Sequence, residues 1–195
     1  MQSLRKVTVL AVLFVALAIG CHAQAGVEPP QTHPDVSLIS TGAAKSFPEP
    51  FASVLPEIKA KSRIPVLLPS KLSQPISGAK HSEIEKVSDN EYAIALYYEL
   101  GIGDAGFAAY FGAKDNPGFD PHDLGNIRKV KLSRGLFGYF SPVSCGGSCA
   151  PANIWWKDGR ILYQIQLRFS PTLREGDQRK AITAAADSAI LAGPR

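Results

Sequence analysis

The sequence has few of the residues on which many catalytic and metal sites depend. Its 195 residues include three cysteines and four histidines, and Met1 is the single methionine. A copper site that uses methionine is therefore disfavoured. No histidine follows Ser148, which excludes the serine–acid–histidine order of α/β-hydrolases. Too few residues follow Cys149 to supply the histidine that papain-like enzymes place about 130–150 residues downstream.

The sequence also lacks an apolar run long enough to span a bilayer, which takes about 20 residues. Its longest apolar run, Val7–Ile19, is shorter. Arg5 and Lys6 precede this run, and Ala23–Ala25 follow it with the A-x-A spacing of a cleavage site. We therefore predict a signal peptide over residues 1–25, and an exported protein that is periplasmic or secreted.

A second interpretation of the same segment stays open. Ala18–Cys21 resembles the lipobox of bacterial lipoproteins, in which the cysteine is lipidated and becomes N-terminal, although that motif usually has leucine where Ala18 stands. Cleavage after Ala25 is the favoured alternative. Lipidation at Cys21 would anchor the protein to the membrane, and no other membrane association is expected.

The mature chain has almost no net charge. Two of the 21 basic residues lie in the signal peptide, and the remainder face 17 acidic residues. A balance this close gives no general attraction to nucleic acid. The short basic run Arg128–Arg134 divides between the two faces of a predicted strand, as on a charged edge strand that resists aggregation.

Turn-forming and alternating segments define the organisation of the chain. Residues 26–45 are rich in proline, serine, threonine and glycine and predict a flexible tether. Residues 46–195 then predict a single α+β domain: a curved antiparallel sheet of about five to seven strands with a C-terminal helix packed on one face. The strands are expected at 64–72 (an edge strand), 92–100, 107–111, 127–132, 136–140, 152–156 and 161–167, with a short helix within 51–62 and the last helix at 174–191.

The clearest hairpin surrounds Asp158-Gly159, which predicts a type I′ turn. In that register Trp155 faces Leu162 on the solvent side of the sheet. We interpret the pair as an apolar island that either contacts a partner or lies beneath the cysteine loop. At the last helix, Thr172 and Glu175 have the spacing of a capping box.

The segments "PVLLPSKL", "VKLSRGLFGYF" and "IWWKDGRILYQIQ", followed by a helix that ends in "AADSAI", resemble an uncharacterised bacterial family. Its members are exported or membrane-anchored domains, some attached to anti-sigma-factor-like proteins. They are distantly similar to sigma-factor regulatory and lipoprotein-carrier proteins, in which curved sheets pack on helices. The resemblance implies a fold class and supplies no catalytic residues.

Cys145 and Cys149 remain as a pair once Cys21 is removed or lipidated. An even number of cysteines in an exported chain favours a disulfide. The C-x-x-C spacing of thiol oxidoreductases is absent, so redox chemistry and metal binding are the weaker alternatives.

The oxygen-rich loop with Asp120, His122 and Asp123 is the one candidate for metal-dependent catalysis, but its spacing matches no calcium or zinc motif. We therefore expect a non-catalytic binding or interaction module of the cell envelope. No cofactor or metal is expected, and the partner is an unidentified protein or apolar ligand. An envelope enzyme that uses this loop, and a purely structural envelope protein, are the alternatives.

Overall fold

A computed structural model describes residues 48–124 and 126–195, without the side chains of Asp123 and Leu124. The predicted signal peptide, the lipidation candidate Cys21 and the predicted tether lie outside these residues. Three α-helices occupy Glu49–Ala52 (α1), Leu55–Lys61 (α2) and Glu175–Ala192 (α3). The strands are His81–Ser88 (β1), Glu91–Tyr97 (β2), Phe107–Asp115 (β3), Arg128–Lys131 (β4), Phe137–Ser141 (β5), Ser144–Cys145 (β6), Cys149–Ala150 (β7), Ala152–Asp158 (β8) and Ile161–Leu167 (β9).

Seven of these strands form one antiparallel sheet in the order β1-β2-β3-β9-β8-β5-β4. β6 and β7 form a separate two-stranded hairpin. The predicted α+β class, the number of strands and the C-terminal helix on the sheet are confirmed. The sequence did not predict β1. Its residues are exposed or half-buried and none is fully buried, so it lacks the clear apolar alternation that indicates a strand.

The hydrophobic core lies on one face of the sheet, here called the inner face. α3 packs on β8 and β9 through Ile182, Ala186 and Ala189, which have no exposed surface. Alanine side chains allow the helix backbone to approach the sheet closely. α1 and α2 cover the other half of the inner face, where the ring of Phe51 meets that of Phe111 edge to face at 5.2 Å.

The segment 64–72 is not the predicted edge strand. Its residues form no ladder with the sheet, and Val66, Leu67 and Leu68 are buried in the core. Tyrosine hydroxyls take the place of a neighbouring strand: that of Tyr92 accepts a hydrogen bond from the Leu67 N–H at 3.1 Å. The prolines on either side of the apolar run lack the N–H that a ladder needs.

The β8–β9 hairpin differs from the predicted register. Asp158 pairs with Ile161, so the loop is Gly159-Arg160 rather than Asp158-Gly159. Only the first loop position, Gly159, has a positive φ (59°), as in a type II′ turn and not in a type I′ turn. Trp155 therefore lies opposite Gln164 instead of Leu162.

The shift moves the pairing by two residues along β9, so the assignment of side chains to the two faces is unchanged. Ile154, Trp156, Tyr163 and Ile165 are buried on the inner face. The other face, here called the outer face, carries Asn153, Trp155, Lys157 and, on β9, Leu162, Gln164 and Gln166.

The predicted capping box of α3 is also wrong. The N-cap is Arg174, and no side chain caps the helix there. The Thr172 hydroxyl lies 2.8 Å from that of Ser170, so it is engaged within its own turn. The helix ends as predicted, at Gly193, which has a φ of 73°.

Candidate functional site

A cleft of about 550 Å³ opens beside the start of β3 and the end of β9. This volume falls in the range of about 300–1,000 Å³ that is usual for small-molecule sites. Three parts of the chain frame the cleft: the end of the β6–β7 hairpin, the β2–β3 connection, and the residues that follow β9. The cleft therefore lies at the end of the sheet where these three parts of the chain meet.

The β6–β7 hairpin forms one wall. Its strands pair Cys145 with Cys149, and the two sulfur atoms lie at the bonding distance of 2.05 Å. The Gly146 N–H donates to the Ser148 carbonyl at 2.9 Å and closes the turn. Residues 144–150 are exposed to solvent, so few contacts other than the covalent bond hold their shape. Cys149 itself lines the cleft.

Most of the lining is apolar. Phe107 and Val143 are half-buried in the wall, and Phe169 is almost fully buried beneath it. Two of the segments that border the cleft also carry exposed apolar side chains, those of Ile102 and Leu173. Exposed apolar residues around a concave site are typical of surfaces that bind an apolar ligand or partner.

The polar part of the cleft lies on β9 and just after it. Gln166 donates from Nε2 to Oδ1 of Asn153 at 3.1 Å, and Gln164 donates to the same oxygen at 2.7 Å. Asn153 is thereby held beneath the outer face with 9% of its surface exposed. The charged residues in the lining are Arg168 and Asp104.

The predicted Trp155–Leu162 surface is altered by the observed register. Leu162 is only 5% exposed, because it lies between Lys114 on β3 and Lys157 on β8. The methylene stems of lysines can cover an apolar neighbour in this way. Leu162 is therefore not part of an exposed island, whereas Trp155 keeps partial exposure opposite Tyr139 of β5.

A different loop from the expected one lies over this part of the outer face. The carbonyl of Pro117, in the β3–β4 connection, accepts a hydrogen bond from the Lys157 amine at 3.0 Å. The ring of Phe119, in the same connection, contacts the ring of Tyr139 with centroids 6.2 Å apart. The cysteine loop instead borders the cleft, so the Trp155 region and the cleft are bordered by separate loops.

The oxygen-rich loop does not form a metal centre among the side chains that the structure describes. Asp120 and His122 are both exposed, and the Asp120 carboxylate accepts the His122 backbone N–H at 2.8 Å. That bond is the local turn contact usual for aspartate. No cluster of three potential ligands occurs within residues 48–124 and 126–195, although the Asp123 side chain is not described.

The basic run follows the predicted division between faces. Arg128 points toward α3 and pairs with Glu175 at 3.5 Å, whereas the Lys129 amine lies over the ring of Phe137 on the other face. β4 is an edge of the sheet, as expected. The run therefore offers no single positive stripe.

Sequence reasoning did not single out the cleft residues. Asp104, Phe107, Gln166 and Arg168 come from separate segments that meet only through the β2–β3 and β3–β9 pairings. None of these segments by itself has a sequence pattern that indicates a binding site. The one local signal was the cysteine pair, which marks a wall of the cleft.

No helix within the described residues has both the length and the apolar character needed to cross a membrane. Comparison with protein-family models, with curated proteins and with solved structures finds no match to this chain. The family resemblance therefore stays a prediction, and a functional proposal depends on the chain's own geometry.

Proposed function

We propose that this chain is an exported, non-catalytic binding module of the cell envelope that holds an apolar ligand in the cleft beside the Cys145–Cys149 hairpin. The cleft itself carries the proposal. It combines a ligand-sized volume, walls that include Phe107, Val143 and Phe169, and a small set of polar groups on one side. Pockets of this kind orient a ligand by the polar groups and bind it through the apolar walls.

Export is the second part of the proposal. The predicted signal peptide would deliver the chain to an oxidising compartment, where a bond between Cys145 and Cys149 persists. The separation of the two sulfur atoms is compatible with that bond. The resemblance to exported and membrane-anchored domains points in the same direction, and attachment to a membrane would require lipidation of Cys21.

A titration with the neutral fluorescent dye Nile red tests the binding proposal. The purified mature protein should enhance the dye's fluorescence saturably. Ala150→Trp places an indole at the cleft wall and should weaken the dye's affinity at least about tenfold, because it fills the space the dye needs.

The matched control is Ala60→Trp, on the exposed side of α2 and outside the cleft. It should bind the dye as the wild-type protein does. Absence of saturable binding, or equal loss in both variants, would contradict the proposal.

The intact mass of the protein purified from its native host tests export. Cleavage after Ala25 predicts a chain that begins at Gly26 and is two mass units lighter than the fully reduced form, because the disulfide removes two hydrogens. Lipidation predicts a chain that begins at an acylated Cys21. The uncleaved chain with every thiol reduced would contradict export.

A further inference from the structure

Among the residues that the structure describes, Arg168 is the one cation that lines the cleft, and its backbone is fixed to the sheet. Its N–H donates to the Ala108 carbonyl at 3.0 Å, which continues the β3–β9 pairing for one residue beyond β9. Its side chain is exposed. Arg168 takes part in none of the ion pairs seen between side chains of residues 48–124 and 126–195.

Asp104 is the one acidic residue of the same lining within the described part of the chain. It lies in the exposed turn Gly103–Ala105 of the β2–β3 connection. Asp104 and Arg168 are too far apart to form an ion pair with each other. The guanidinium of Arg168 is therefore open to a group supplied by a ligand.

The apolar walls and this guanidinium lie in one cleft. Phe169, the neighbour of Arg168 in the chain, is almost fully buried in the lining, and Phe107 and Val143 extend the apolar surface. A guanidinium presents several N–H donors in a plane that matches the two oxygens of a carboxylate. An occupant that used both features would be apolar along its length and negatively charged at one end.

We infer that the cleft binds a single-chain amphiphile with a carboxylate head group, the chain lying against Phe107, Val143 and Phe169 and the carboxylate against Arg168. This inference rests on the proposed function and names its ligand class. The opposing charge of Asp104 weakens the attraction, so removal of that carboxylate should strengthen binding. Removing the charge of Arg168 and removing that of Asp104 should therefore change the affinity for a carboxylate ligand in opposite directions.

Decanoate and decanol provide a matched pair of probes, because they share a ten-carbon chain and differ in the charge of the head group. Each is titrated below its aggregation concentration, at low salt, as a competitor of Nile red on the mature protein. Wild-type protein should bind decanoate about tenfold more tightly than decanol, since a hydrogen bond to a charged group contributes more than a neutral one.

Arg168→Gln removes the charge and keeps a polar side chain. It should lower the affinity for decanoate far more than the affinity for decanol, and so remove the preference for decanoate. Asp104→Asn should raise the affinity for decanoate severalfold relative to that for decanol. Raising the salt concentration should weaken decanoate binding alone, because exposed charges are screened.

Two kinds of result separate binding of the apolar chain from recognition of its head group. If neither decanol nor Nile red binds, the proposed function itself is wrong. If both chains bind and decanoate has no advantage, or if decylammonium binds more tightly than decanoate and loses affinity in Asp104→Asn, the carboxylate assignment is overturned while an apolar binding site remains.

Discussion

The phenol oxygen of Tyr92 lies 3.1 Å from the backbone nitrogen of Leu67 in the interior of the domain. Tyr92 belongs to β2, which pairs with β1 and β3, and Leu67 belongs to the segment that lies against β2 without pairing with it. A second hydroxyl, that of Tyr163, donates to the Pro65 carbonyl at 3.0 Å. Two tyrosines therefore satisfy backbone groups that would otherwise lie unpaired beside the core.

Tyr92→Phe should lower the free energy of unfolding by about 1–3 kcal/mol, because it leaves the buried Leu67 N–H without an acceptor. Tyr139→Phe is the control, since Tyr139 is half-buried on the outer face and its ring contact with Phe119 is retained. Urea denaturation of both variants measures the difference. Equal stability of Tyr92→Phe and wild type would show that the hydroxyl contributes nothing there.

Alkaline pH should destabilise the domain. Burial raises the pKa of Tyr92 and Tyr163 far above the ordinary value of about 10, and that of Tyr98 and Tyr110 by a smaller margin. The unfolded chain therefore loses these protons first. The stability contribution is complete below about pH 10 and falls as the pH rises above it.

The urea midpoint should accordingly stay flat up to about pH 9 and fall beyond about pH 10. Tyr92→Phe should show a shallower fall than wild type, since it has one raised pKa fewer. A midpoint that rose with pH in this range would contradict the burial of these phenols.

The alanine face of α3 should not accept a larger side chain. Ala186 has no exposed surface against the sheet, so Ala186→Leu should cost about 1–3 kcal/mol of stability by overpacking. Ala184→Leu lies on the exposed side of the same helix and should be within about 0.5 kcal/mol of wild type. Thermal or urea unfolding separates the two. Equal effects would mean that α3 does not pack on the sheet through this face.

Loss of the disulfide should affect both stability and the cleft. On the chain-entropy model, a ring this small contributes about 2 kcal/mol, and replacing Cys145 and Cys149 together by serine should remove it. Nile red affinity should also fall, because Cys149 and its neighbours form a wall of the cleft. Thiol titration of the denatured, unreduced mature protein should find no free cysteine. Two free thiols would show that Cys145 and Cys149 do not form a disulfide.

The sequence was informative wherever one local pattern decides the structure. The alternation along residues 92–100 predicted a strand, which is observed at Glu91–Tyr97. The small and apolar residues that recur at helical spacing in 182–190 are those that α3 buries against the sheet. The face assignment of the last hairpin also held, because a register shift of two residues preserves alternation.

The sequence was less informative where contacts between residues far apart in the chain determine the structure. The apolar run at 64–72 has the composition of a strand, and only the position of two tyrosine hydroxyls shows why it lies beside the sheet without joining it. Asp158-Gly159 supports more than one two-residue turn, so its dipeptide did not fix the pairing of Leu162. The cleft depends on three segments that the topology brings together, and no single segment indicates it.

The most direct test of the binding site is a nuclear magnetic resonance titration of the isotopically labelled mature protein with decanol. If decanol occupies the cleft, the amide signals that shift should be those of residues 103–107, 143–150 and 166–170, the segments that line the cleft. The amide signals of the exposed side of α3 should not shift. Shifts confined to α3 or to the Trp155 region, or no shifts at saturating decanol, would show that the cleft is not the binding site.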